Sequence, residues 1–105
     1  MIWHAFADGT TIGTRGSEDG IIVVDEEHPE CARITLEEGG HFGRWSITCG
    51  VYGLFFHTRF FGNRLAAEAE YAAMKSAMDA LMSQLEAADL AEQGRLAGAF
   101  VDRFP

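Results

Sequence analysis

Apolar and polar positions alternate from residue to residue between Trp45 and Val51, with Ile47, Cys49 and Val51 set against Ser46, Thr48 and Gly50. That is the period of a strand with one face on a core. Gly50 and Gly53 bracket Val51-Tyr52, which predicts a turn or bulge before a second strand from Leu54 to about Phe60. In that strand Leu54, Phe56, Thr58 and Phe60 share one face, and Phe55, His57, Arg59 and Phe61 share the other. The first set, free of charge, reads as the one buried against a helix. The second holds His57 and Arg59 among phenylalanines and must reach solvent, a partner or counter-charges.

The same alternation marks earlier strands. Ile2 to Phe6 is a short apolar run ended by the turn signal Asp8-Gly9. Ile21 to Asp25 is apolar on both faces, and Pro29 interrupts the ladder that follows. From Cys31 to Glu37, Ala32, Ile34 and Leu36 oppose Arg33, Thr35 and Glu37, a half-exposed strand that ends at the turn Glu38-Gly39-Gly40-His41. Between the first two strands, Gly13, Gly16 and Gly20 are spaced through polar residues. A phosphate-binding loop would need a helix immediately afterwards to present convergent N–H groups. Here a strand follows, and Glu18 and Asp19 would repel a phosphate, so the segment reads as a flexible hairpin connection.

From Asn63 the period lengthens. Ala67, Tyr71, Met74, Met78, Leu81 and Leu85 form one helical stripe, widened by Leu65 and Met82, with Asn63 as N-cap and Glu68 and Glu70 in the first turns. Asp89 can cap a second helix towards Phe104, with Leu90, Ala97, Phe100, Val101 and Phe104 apolar. Gly94 and Gly98 weaken it by about 1 kcal/mol each relative to alanine, so it leans on tertiary or partner contacts. A run of strands followed by a run of helices predicts a single α+β domain over residues 1–105. Its antiparallel sheet has about five strands within residues 1–61, the long helix packs on one face, and a second shorter helix follows.

Charge narrows the function. Against 8 basic residues stand 16 acidic ones, a formal balance of −8 that disfavours nucleic acid and anionic membranes and favours a basic protein partner. Glu18, Asp19, Asp25, Glu26, Glu27, Glu30, Glu37 and Glu38 lie within residues 18–38 with only Arg33 to oppose them. The spacing of Asp25, Glu26, Glu27, His28 and Glu30 matches neither a calcium loop nor a zinc site. Cys31 and Cys49, both in expected strands, read as reduced thiols that pack as small apolar groups. No apolar run reaches a membrane span and the first residues lack the features of a signal peptide, so a cytoplasmic location is expected.

With neither catalytic residues nor a cofactor implied by any motif, the reading is a non-enzymatic binding protein. Its candidate contact residues are Glu18, Asp19, Asp25, Glu26, Glu27, Glu30, Arg33, Phe55, His57 and Arg59. With Leu54, Phe56 and Phe60 on the helix, His57, Arg59, Arg33 and Thr35 would join Ser46 and Thr48 in a polar patch framed by Phe55 and Phe61. Such a patch offers a histidine base and arginine electrostatics, the basis of an alternative reading as a small enzyme or ligand-binding domain, but no nucleophile. It equally offers the Arg and aromatic anchors that carry interface energy, or a homodimer surface. The plainest alternative is that Arg33 and Arg59 pair with acids across strands.

The phrases Gly16-Ser17-Glu18-Asp19-Gly20, Asp25-Glu26-Glu27-His28, Ala32-Arg33-Ile34-Thr35-Leu36-Glu37, Ile47-Thr48-Cys49-Gly50-Val51-Tyr52-Gly53 and His57-Thr58-Arg59-Phe60-Phe61 together resemble small bacterial immunity proteins of polymorphic toxin systems. The resemblance implies a cytoplasmic inhibitor that binds and blocks a toxin domain.

Overall fold

The computed structural model describes residues 2–29 and 31–105. Five strands, β1 (His4–Ala5), β2 (Ile21–His28), β3 (Ala32–Glu38), β4 (Trp45–Val51) and β5 (Phe55–Phe61), precede two helices, α1 (Arg64–Glu86) and α2 (Leu90–Arg103). The sheet is antiparallel throughout, with spatial order equal to chain order. The strands thus all precede the helices, between His4 and Phe61, as the patterning predicts. β1 is shorter than expected, because Phe6–Gly9 turns out of the strand with Ala7 and Asp8 in left-handed backbone. β2 is longer and carries an irregularity between Ile22 and Val24, after which Val24, Glu26 and His28 share one face and Asp25 and Glu27 the other.

Alternation along β3 and β4 decides what is buried. Register pairs Ile34 with Cys49 and Leu36 with Ile47, and on this face both strands are sealed by α1. Met74 and Met78 have no exposed surface, and Ala67, Leu81, Met82 and Leu85 complete the stripe. Asn63 caps α1 by accepting from the Ala66 N–H at 2.8 Å, and Asp89 caps α2 by accepting from Glu92. Leu65, expected in the stripe, stays 81% exposed because it lies two residues, about 200° of helical rotation, from Ala67, which is buried in the same first turn. Cys31, expected in a strand, occupies the exposed turn between β2 and β3 with φ +76°. Cys49 is the buried thiol of the pair, and burial pushes its pKa up to about 12, which leaves it inert as a nucleophile. Among the described residues, no helix is long and apolar enough to cross a membrane.

The phase of β5 is the reverse of that expected. His57 pairs with Cys49 and Arg59 with Ile47, which places Phe55, His57, Arg59 and Phe61 on the helix side. The physical reason lies in α2 and the residues after it, which supply the cover and the partners this face needs. Phe55 packs on Phe100 at 5.6 Å between ring centroids, and the His57 Nε2–H donates to the Phe104 carbonyl. Arg59 donates to the Pro105 carbonyl at 3.1 Å and to Glu70 at 2.7 Å. Phe56, Thr58 and Phe60 therefore point away from the helices.

Candidate functional site

On the side of the sheet away from the helices, register aligns Asp25, Thr35, Thr48 and Thr58 across four strands. Arg33, Gly50 and Phe56 form one neighbouring row, and Glu37, Ser46 and Phe60 another. Half of this face is roofed by the chain between β1 and β2. Phe6 lies over the Arg33 guanidinium, 3.6 Å from ring centroid to Cζ, and Thr11 donates to Asp25 at 2.8 Å. The other side, over β5 and the adjoining part of β4, is more open: Phe56 and Phe60 are exposed, although Ser46 is buried. A cavity of about 500 Å³ opens at the boundary, lined by Thr14, Glu18, Arg33, Thr35, Glu37, Thr48, Phe56 and Thr58 among others.

Two buried carboxylates hold this arrangement. Asp25 accepts both prongs of Arg33, at 2.9 and 2.7 Å, together with the Thr35 and Thr11 hydroxyls. Burial alone would raise its pKa, yet these hydrogen bonds outweigh the desolvation and hold the carboxyl below its ordinary value. The same pair raises Arg33. Glu37, 1% exposed, accepts from the backbone N–H groups of Glu18 and Gly20 at 3.1 to 3.4 Å and so fixes the glycine-rich loop. The loop passes so close that a Cβ at Gly16 would overlap the Glu37 carboxyl group.

Apolar groups flank the cavity. Phe56 is 72% exposed and lies over Gly50, where an added Cβ would meet its ring at 2.5 Å. Phe60 and Phe42 stand on the same side with ring centroids 6.1 Å apart, and Phe42 is 79% exposed. Gly43, Arg44 and Gly62 join them around a second, shallower depression.

The residues singled out from the sequence separate into groups. Arg33, Thr35, Ser46 and Thr48 do share one face, as expected, but His57, Arg59, Phe55 and Phe61 lie on the other, enclosed by α1, α2 and the chain end. The expected patch is therefore not assembled, and the cavity does not include His57 or Arg59. Nor do the acids of residues 18–38 form a free acidic surface. Asp19 is held by Arg15 and His41, and the hydrogen bond from Arg15 leads the lowering of its pKa. Glu26 accepts from Lys75 and Tyr71 of α1, and Glu27 accepts from Tyr52 beside His4. Asp25 and Glu37 are buried, Glu18 lines the cavity, and Glu30 lies outside the described residues. The count that left Arg33 alone among these acids overlooked cations brought in by folding.

Phe42, Phe60 and Thr58 were not anticipated as site residues, whereas Thr35 and Thr48 were. Gly50 carries the signal that could have found them. A glycine in the middle of a strand invites an aromatic neighbour to cover it, and Phe56 opposite Gly50 fixes the phase of β5.

The geometry defines an α+β domain whose sheet is closed by helices on one face and left half open on the other. Comparison with protein-family models, with curated proteins and with solved structures finds no match.

Proposed function

We propose that this chain is a non-enzymatic binding protein, an immunity-type inhibitor that blocks a toxin domain by covering it with the open half of its sheet. The observation that carries the reading is the set of solvent-exposed phenylalanines, Phe56 and Phe60 on β5 and Phe42 in the β3–β4 connection, on a side of β5 that no other element among the described residues roofs. Exposed aromatic rings, Phe56 at the cavity and Phe42 and Phe60 at the neighbouring depression, are a surface suited to a protein partner, and rings seated in pockets are the residues that anchor such interfaces. The acidic balance of −8 favours a basic partner and would speed its approach. The residues at the open face support binding better than chemistry. Arg33 is engaged by Asp25, the cavity presents threonine hydroxyls without a histidine base, and Cys49 is held far from its thiolate form.

The test is co-expression with the toxin domain encoded by an adjacent gene, scored by cell survival and by complex formation in gel filtration. Replacement of Phe42, Phe56 and Phe60 by alanine should weaken the complex by at least about 30-fold, equivalent to roughly 2 kcal/mol, while leaving the melting temperature within a few degrees. Undiminished protection by the triple variant would overturn the reading. Sedimentation of the chain alone at several concentrations separates a toxin interface from a homodimer that uses the same rings.

A further inference from the structure

Donor and acceptor positions around the cavity are unequal. Thr35 and Thr11 commit their hydroxyl protons to Asp25, and Thr14 commits its proton to the Thr11 carbonyl. Thr48 and Thr58 share one hydrogen bond at 3.1 Å, which leaves a single proton between the two hydroxyls. What these oxygens still offer is mainly lone pairs. The charges around them are also mostly matched. Arg33 is neutralised by Asp25, and Arg15 by Asp19 at 2.9 Å, and with these two acids from outside the lining counted, Glu18 and Glu37 remain as the excess charge around the cavity. Phe56 adds an exposed aromatic face at the mouth. Acceptors, net negative charge and an aromatic face together suit a group that is donor-rich and positive.

From this we infer that the cavity receives a basic side chain, an arginine or lysine, presented by the protein partner. The inference rests on the reading of the open face as a partner surface and specifies what that partner inserts. The head group would donate to the threonine oxygens and lie against Phe56, while the aliphatic stem crosses the rim. A volume of about 500 Å³ accommodates such a side chain with a few waters.

The inference is tested on the isolated chain with N-acetyl-arginine methylamide as the probe and the citrulline analogue, its neutral isostere, as the comparison. Amide chemical shifts are followed by NMR during each titration. The arginine probe should give saturable shifts centred on Thr35, Thr48, Gly50 and Thr58, with the citrulline analogue at least about tenfold weaker. The paired substitution Thr48→Val and Thr58→Val, which keeps shape and removes the acceptors, should weaken the arginine probe by about fivefold or more. Equal binding of the two probes, shifts centred elsewhere, or no response to the valines would each overturn the inference. Its failure is distinguishable from that of the proposed function. A toxin complex that depends on Phe42 and Phe60 while citrulline matches arginine removes only the basic anchor. Selective arginine binding by a chain that protects against no toxin removes only the immunity reading.

Discussion

On the helix side of the sheet, Ile34, Ile47 and Cys49 are sealed under Met74 and Met78, each of these five residues at 1% exposure or less. On the other side of the sheet, Thr35, Thr48 and Thr58 form a hydroxyl row, roofed over β2 and β3 by a loop and opening towards β5, where Phe56 and Phe60 are exposed. The closed face is held by non-directional apolar contact, which tolerates no void. The roofed half of the other face is held by two hydrogen-bonded carboxylates, Asp25 with four donors and Glu37 with two backbone N–H groups, around which the loop is ordered. A sheet face can thus be organised for binding without being buried, provided its polar groups satisfy one another first.

The sharpest way to break this contrast is a matched pair of truncations. Ile47→Ala on the closed face should lower the unfolding free energy by about 2 to 5 kcal/mol, whereas Thr58→Val on the open face should change it by less than about 1 kcal/mol. Chemical denaturation measures both, and similar losses would mean that the open face is as much a core as the closed one.

A smaller effect isolates the roof. Asp25→Asn leaves the Arg33 charge without its partner and should cost about 2 to 3 kcal/mol at neutral pH, less than for a fully enclosed pair because a third of Arg33 remains exposed. The sign of its pH dependence follows from the lowered pKa of Asp25. A carboxyl whose folded-state pKa lies below its unfolded value of about 3.8 contributes fully above that value. The contribution drains away as the pH falls through the lower folded value. The gap between wild type and variant should accordingly close below about pH 4, and a gap that persisted into stronger acid would sink the assignment.

The smallest effect probes the one orphan. The Ser46 hydroxyl is buried, with no hydrogen-bond partner among the described residues. Ser46→Ala should leave stability within about 0.5 kcal/mol or raise it, since nothing is lost but an unsatisfied polar group. A clear destabilisation would reveal a water bonded there.

Much of the closed face was legible in the sequence because its signals are local. The stripe from Ala67 to Leu85, the caps Asn63 and Asp89, and the alternation of Ala32, Ile34 and Leu36 each need only a few neighbouring residues to be read. The open face was less legible, since its definition depends on long-range partners. Which side of β5 faces the helices turns on Phe104 and Pro105 returning to His57 and Arg59, more than forty residues away in sequence. The acids suffered the same way. Glu26 reads as a surface charge until Lys75, 49 residues later, is brought to 2.9 Å. The glycine-rich loop reads locally as a flexible connection, and the group that orders it, Glu37, lies on a strand seventeen to nineteen residues away.

That last contact carries a consequence for how such a chain can drift. Gly16 can accept no side chain while Glu37 keeps its carboxyl beneath it, and it is Glu37 that receives the Glu18 and Gly20 N–H groups of the loop. The two positions are bound into one heritable unit. In descendants of this sequence, a larger residue at 16 should be found only where the residue at 37 has shortened or lost its charge, and the connection before β2 should vary in length only after both have changed.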